Sequence, residues 1–275
     1  MNTPRIPTRL FDIIGYPLGH TMSPPLHNTM LEQQGLDGVF MAWPTTPESL
    51  GDFIAALRLL PISGLSVTLP HKEEVMKHLD HITDRAKVVG AVNTLFWRES
   101  EVVGDNTDLV GFVRPLREKG FTPQKALVLG AGGAARAVLA GLQEVGAGSI
   151  VLTNRSEDRA RALGKEFRVD VVVWEDRTRV EADLIVNSTP LGMAGELVDS
   201  SPWPRESFSQ GQVVYDLVYN PITTRFLAEA EQEGCITISG VAMFTGQAAE
   251  QFRLWTGQDM DLALADKLVA RLIEG

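Results

Sequence analysis

Apolar and polar positions change rhythm along almost the whole chain. Short β-rich runs alternate with stretches whose apolar positions recur three and four apart. The runs are Leu10–Gly15, Gly38–Trp43, Gly64–Thr68, Ala91–Trp97, Ala126–Gly130, Ser149–Thr153, Val169–Trp174, Leu184–Asn187, Val213–Leu217 and Cys235–Ser239. Helical spacing marks Leu26–Gln34, Glu48–Leu60, His71–His78, Val110–Lys119, Ala134–Val145, Glu157–Phe167, Thr224–Glu233 and the tail from Gln247 to Ile273. Strand and helix in alternation predict βαβ units, hence an α/β fold with parallel sheet covered on both faces.

A fresh strand follows Gly120-Phe-Thr-Pro123, and no strand follows Gly240. These positions divide the chain into residues 1–107 with 241–275, and residues 108–240 between them. The tail has no strands of its own, so it is expected to fold back onto the N-terminal part.

The middle segment carries the clearest chemistry. Ala126-Leu-Val-Leu129 runs into Gly130-Ala131-Gly132-Gly133-Ala134-Ala135, a G-x-G-x-x-A turn between strand and helix. Gly130 permits the tight turn, Gly132 lets backbone approach a pyrophosphate, and Ala135 keeps helix and sheet close. The helix start adds N–H donors. At the end of the next strand, an NAD-preferring fold places an acid for the ribose 2′-hydroxyl. Here Asn154-Arg155-Ser156 stands instead, with Arg159 one turn on. Two guanidiniums in place of a carboxylate predict NADP as cofactor.

Composition constrains the rest. The 275 residues carry a formal charge of -10, which argues against nucleic acid as a partner. Any anionic ligand must be held by local cations and N–H groups against the global field. One cysteine, Cys235, allows no internal disulfide and fits a reducing compartment. No metal-ligand spacing is present, Met1–Leu10 lacks an apolar leader, and no apolar run reaches membrane-spanning length. A cytoplasmic enzyme of small molecules, with no metal and no membrane partner, is expected. The histidines at 20, 27, 71, 78 and 81 read as structural or exposed, with His71 notable beside Lys72.

Polar residues also cluster where strands of the N-terminal part should end. Pro70 reads as a first helical position, which puts Lys72 in a first helical turn, where the dipole disfavours a cation and suits it to proton exchange. Asp108 reads as a helix-start carboxylate, and Asn93 as an amide inside an apolar strand that needs a partner.

Together these segments resemble the shikimate dehydrogenase family. The markers are Gly15-Tyr-Pro-Leu-Gly-His-Thr-Met-Ser-Pro-Pro-Leu-His-Asn28, Ser66-Val-Thr-Leu-Pro-His-Lys72, Gly90-Ala-Val-Asn-Thr94 and Gly104-Asp-Asn-Thr-Asp108. They continue with the glycine turn at 130–134, Asn187-Ser-Thr-Pro-Leu-Gly-Met193, Asp216-Leu-Val-Tyr-Asn-Pro221 and Gly240 through Gln247. The resemblance implies an α/β substrate domain completed by the C-terminal helices, plus a Rossmann-type NADP domain. It implies reversible NADPH-dependent reduction of 3-dehydroshikimate to shikimate in chorismate biosynthesis, by a monomer or homodimer.

By the same resemblance Lys72 exchanges the proton of the reacting hydroxyl, with Asp108 as its partner. Thr21 and Ser23 bind the substrate carboxylate. Ser66, Thr68, Asn93, Tyr219 and Gln247 occupy the remaining substrate positions. Asp84, Leu217 and Gly240 fall on the nicotinamide side of the cofactor. Gly130, Ala131, Gly132, Gly133 and Ala134 line the pyrophosphate, and Asn154, Arg155, Ser156 and Arg159 the 2′-phosphate. Two positions depart from the family pattern: Thr21 replaces a serine, and Ser66 replaces an asparagine. Quinate, with an additional hydroxyl on the ring carbon carrying the carboxylate, is the competing substrate. A catalytically idle binding paralogue is the reading from another class, against which stand Lys72 and Asp108, both retained.

Overall fold

The computed structural model describes residues 8–19 and 21–275. His20 and the first seven residues, on which the reading of the N-terminus rests, lie outside the described residues. The chain divides into two compact units: Met1–Thr107 with Ala248–Leu272, and Asp108–Gln247 with Ile273–Gly275.

The first unit contains β1 (Arg9–Gly15), α1 (Ser23–Gln33), β2 (Gly38–Pro44), α2 (Leu50–Ala56), β3 (Ile62–Val67), β4 (His81–Ile82), α3 (Asp84–Val89), β5 (Thr94–Arg98) and β6 (Glu101–Asp105). Its sheet has the order β2-β1-β3-β5-β6-β4. Strands β2, β1 and β3 are parallel, but β3 and β5, then β5 and β6, pair antiparallel. The wholly parallel expectation therefore fails at Thr94–Asp105. Arg98 faces Glu101 across a two-residue loop, and Glu99 adopts φ 56, as a tight hairpin requires. With an acid at each end and a glycine inside, β6 gave too weak an apolar pattern to be read from sequence.

Two further expectations change. The helix read over His71–His78 is only a 3-10 stretch, Glu74–His78, and Pro70 follows a cis bond in a turn. Lys72 lies in the turn before that stretch. The helix-dipole argument for Lys72 loses its basis, because a single 3-10 stretch aligns few peptide dipoles. Helix α3 was not anticipated, although it is well closed: Thr83 Oγ1 accepts from Ala86 N at 3.3 Å, and Gly90 ends it at φ 70.

The second unit contains α4 (Asp108–Glu118), β7 (Lys125–Leu129), α5 (Gly133–Glu144), β8 (Ser149–Thr153), α6 (Glu157–Phe167), β9 (Asp170–Val171), β10 (Leu184–Asn187), β11 (Val213–Asp216), α7 (Arg225–Gln232) and β12 (Ile236–Ile238). Helices α8 (Gly240–Thr256) and α9 (Leu262–Glu274) follow. Every strand pair in this sheet is parallel, in the order β12-β11-β10-β7-β8-β9. That is the dinucleotide-binding order, with its switch point between β7 and β10, where open α/β sheets bind ligands.

The second division falls inside α8, past the boundary at 240. Gly111 and Gly246 explain why the early turns of α8 stay with α4. A Cβ on Gly111 would lie 2.4 Å from Met243 O, and one on Gly246 3.0 Å from Gly111 Cα. The later turns carry Trp255, whose Nε1 donates to Leu95 O at 2.9 Å and whose ring fills the space over Gly64. Among the described residues no helix is long and apolar enough to cross a membrane.

One group in the first unit opposes folding at neutral pH. Asp12 is fully buried in β1; Trp43 Nε1 donates to its Oδ1 at 2.9 Å, and Oδ2 has no partner among the described residues. Burial pushes its carboxyl up to about 6, against the pull of the Trp43 bond. Because the folded value lies above the unfolded one, this contribution is fully present below the unfolded value and lost as pH rises through about 6. Asp12→Asn is therefore expected to stabilise the chain at pH 7 by about 2–3 kcal/mol, and by much less at pH 4. Urea unfolding at both pH values checks this; a variant less stable at pH 7 would show that the carboxylate contributes through its charge.

Candidate active site

In the second unit, the ends of β7, β8 and β10 surround a cleft of about 670 Å³. Gly130 sits at its base with φ 110, and a Cβ there would lie 2.7 Å from Ser188 Oγ. Only glycine satisfies both limits. Nothing lies within 4 Å of the position a Cβ on Gly132 would take, so the backbone there is open to a ligand. Gly130, Ala131 and Gly132 line the cleft. Gly133 and Ala134 form the first turn of α5 behind them.

Across the cleft stand Asn154, Arg155, Ser156 and Arg159. Among the described residues no aspartate or glutamate lines it. Glu157 turns away to pair with Arg161, and neither Arg155 nor Arg159 has an ion-pair partner among the described residues. Asn154 Nδ2 closes the turn by donating to Ser156 O at 3.0 Å. An acid-free wall with unpaired guanidiniums, opposite bare glycine backbone, fits a dinucleotide bearing an extra phosphate.

Further along the same unit, β11 ends in Asp216. It accepts from Thr224 Oγ1 at 2.6 Å, Asn187 Nδ2 at 2.8 Å and Val218 N at 3.0 Å, while burial pushes its carboxyl up to about 6. This hub fixes the segment that follows. Leu217 and Val218 press their carbonyls against Gly240, where a Cβ would lie 2.5 Å from either oxygen. Tyr219 stacks on Phe244 at 4.7 Å, and Gln247 Nε2 donates to Phe244 O at 3.0 Å. Burial raises the Tyr219 phenol above its ordinary value. Leu217, Tyr219, Gly240 and Gln247 are thus one assembly, with Phe244 as the member the sequence reading missed.

In the first unit, Thr21 Oγ1 accepts from Ser23 N at 3.3 Å just before α1, and Ser23, the first residue of that helix, is buried. The loop after β1 is tied to the end of β3: Thr68 N donates to Ile14 O at 2.9 Å, and Tyr16 N to Leu69 O at 2.9 Å. The backbone of Lys72 is held in turn, its carbonyl accepting from Val92 N at 2.7 Å. His71 is buried, its Nε2 at 2.7 Å from Thr45 O, and this fixes the turn that presents the lysine.

Asn93 is the keystone of this cluster. Its Oδ1 accepts from Thr107 N at 2.7 Å and from Thr94 Oγ1 at 2.8 Å, and its Nδ2 donates to Thr107 Oγ1 at 3.0 Å. The partner demanded by a buried amide is therefore the chain immediately before Asp108, which opens α4 and is itself buried. Ser66 Oγ donates to Gln251 Oε1 at 2.9 Å, and Gln251 Nε2 donates to Thr94 Oγ1 at 3.0 Å and Asn93 O at 3.2 Å. The proton of Ser66 is engaged within this network. Gln251 was not singled out from sequence; its signal was an amide one helical turn after Gln247. Asp84 stands apart, fully exposed at the start of α3 and 3.3 Å from Lys87 Nζ.

Comparison with known proteins places these features. Residues 13–95 match the shikimate dehydrogenase substrate binding domain, and residues 240–269 the shikimate 5'-dehydrogenase C-terminal domain. Residues 125–219 match a family described as NADP oxidoreductase coenzyme F420-dependent. The chain is 51% identical to a shikimate dehydrogenase (NADP(+)) of Oleidesulfovibrio alaskensis, over 98% of each chain. The chain belongs to the shikimate dehydrogenase family. A second family member, from Maridesulfovibrio salexigens, is 48% identical over 96% of this chain and 97% of its own. The crystal structure of the Thermus thermophilus shikimate 5-dehydrogenase in complex with NADP(H) and shikimate superposes with a TM-score of 0.87 at 40% identity, covering 95% of this chain and 98% of the other.

Proposed function

We propose that the chain catalyses the reversible NADPH-dependent reduction of 3-dehydroshikimate to shikimate, as its place in the family implies, in the branch leading to chorismate. The observation that carries the cofactor half of this reading is the acid-free cleft with unpaired Arg155 and Arg159. The 51% and 48% identical relatives both carry the name shikimate dehydrogenase (NADP(+)), which favours shikimate over quinate. The first unit is then the substrate domain and the second the cofactor domain. A cytoplasmic monomer or homodimer completes the reading, in keeping with the single free cysteine.

NADP, when bound, supplies the hydride acceptor and donor. The backbone at Gly130 and Gly132 and the start of α5 take the pyrophosphate, and Arg155 and Arg159 grip the 2′-phosphate. Leu217 and Gly240 border the nicotinamide side. Thr21 and Ser23 offer hydroxyls to the substrate carboxylate, while Thr68, Asn93, Tyr219 and Gln247 fix the ring hydroxyls. Ser66 acts through Gln251 rather than by an amide of its own. Lys72 takes the proton from the reacting hydroxyl oxygen during oxidation and returns it during reduction, and Asp108 holds the ammonium in place. Positioning of this kind matters because misplacement by about 1 Å costs on the order of 10²-fold in rate.

Two expectations test the reading. Removing Arg155 (Arg155→Ala) should raise the KM for NADP by at least ten-fold, on the order expected for a lost charge-assisted bond, and leave that for NAD nearly unchanged. Equal losses with both cofactors would sink the phosphate assignment.

Lys72→Ala should lower kcat by about 10²–10⁴ with shikimate binding altered far less. Asp108→Asn should harm both. The double variant is the decisive one: log-rate losses that simply add would mean that the two residues act independently, whereas a shared proton-transfer unit requires strong non-additivity.

A further inference from the structure

Asn187 and Asp216, the residues that open two of the sequence markers, lie side by side at the ends of β10 and β11 and are fully buried. A loop leaves the sheet from each of them. The loop after Asn187 supplies Ser188, Thr189, Pro190 and Leu191 to the cleft, and the loop after Asp216 presses its carbonyls on Gly240. One carboxylate holds both. Oδ1 of Asp216 accepts from Asn187 Nδ2 and from Val218 N, and Oδ2 accepts from Thr224 Oγ1. Asn187 passes the constraint onward. Its Oδ1 accepts from Thr189 N at 3.0 Å and Thr189 Oγ1 at 2.7 Å, and its Nδ2 also donates to Leu191 O at 3.1 Å. Thr224 in turn caps α7 by accepting from Leu227 N at 3.3 Å, and a Cβ on Gly192 would lie 3.2 Å from its own Cβ.

We propose that Asp216 is a positioning residue for the cofactor, its carboxylate keeping the loops after β10 and β11 in register so that the cleft holds a dinucleotide. The inference rests on the reading of the cleft as an NADP site. Two features favour it over a role in stability alone. The groups that face the carboxylate from β10, from the start of α7 and from its own loop are an amide, a hydroxyl and a backbone N–H, and among the described residues no charged group acts on it. A buried charge with no counter-ion opposes folding at neutral pH. Burial pushes this carboxyl up to about 6, so its contribution to stability is fully present below the unfolded value and lost as pH rises through about 6. An uncharged amide would close the same strand ends without that penalty. What an amide cannot do is accept from all three donors, because one of its two ends is itself a donor. Only a carboxylate satisfies three converging N–H and O–H groups, and charge-assisted bonds of this kind are the stronger ones.

The test uses the full chain, with calorimetric Kd values for NADP and NAD at pH 8 and pH 5, and urea unfolding at pH 7. Asp216→Asn keeps the shape of the side chain and turns a donor toward the Thr224 hydroxyl. It is expected to weaken both dinucleotides by roughly ten-fold at pH 8, since small misplacements of a binding group have effects of that order, while unfolding at no lower urea concentration than the wild type. Protonation does to the wild type what the substitution does. The variant and the wild type should therefore converge at pH 5, and comparing them at each pH cancels the titration of the 2′-phosphate, which both proteins meet alike. Asp216→Ala removes all three bonds and should weaken both dinucleotides further.

Wild-type binding by the Asn variant would overturn the proposal. Tighter binding would overturn it as well, by showing that the carboxylate acts through its charge on the phosphates. A loss of binding matched by a loss of stability, or one of the same size at pH 5 and pH 8, would assign Asp216 to the fold alone. If Asp216→Ala fails to fold, the Asn variant and its pH dependence decide. A wild type that binds NADP no better than NAD would overturn the 2′-phosphate assignment and leave the positioning test, which either dinucleotide can report, standing.

Discussion

A chain with ten more acidic than basic side chains repels a polyphosphate at long range, so its binding cleft must be exempted from the net charge. Every feature of the second unit serves that exemption. The cleft opens at the switch point of a parallel sheet, where the backbone of Gly130, Ala131 and Gly132 lines it together with Arg155 and Arg159. Gly130 can occupy its position only because it has no Cβ to strike Ser188. Glu157, which follows this wall in sequence, is turned onto Arg161, and neither Arg155 nor Arg159 has a carboxylate partner among the described residues. Local order thus reverses a global field.

The first unit solves a different problem, that of holding flexible polar side chains at fixed positions. It does so with one buried amide. Asn93 ties the start of β5 to Thr107 and, through Gln251 and Thr94, to α8. Lys72 is anchored by its carbonyl to Val92 and Asp108 follows Thr107 in the chain, so both proposed catalytic residues grow from backbone that the network fixes. A buried network of this kind is specific only when all its members are satisfied. Each atom of the Gln251 amide has a partner here. Serine in place of the family's asparagine at 66 is accommodated by that amide.

The sequence made the second unit legible nearly strand by strand, because parallel strands buried on both faces read as continuous apolar runs. Ser149–Thr153 and Leu184–Asn187 fall where they were expected. The first unit was harder. Its β5–β6 hairpin depends on Glu99 at φ 56, a conformation no residue type announces, and β6 carries acid at both ends. The helix expected at His71 shrank to a 3-10 stretch because that segment is held by His71 to Thr45 and by Lys72 to Val92, contacts distant in sequence. The side-chain types of the site could be read in one dimension; Gln251 and Phe244 could not, since each owes its place to a tertiary neighbour.

The central claim is that the first unit's hydroxyl and amide cluster selects shikimate while the acid-free cleft of the second selects NADP. One spectrophotometric experiment on the wild-type chain tests both halves, by crossing shikimate and quinate with NADP and NAD. The highest kcat/KM is expected for shikimate with NADP, with a large fall on exchanging NADP for NAD and inferior turnover of quinate. A preference for quinate with NAD would contradict it.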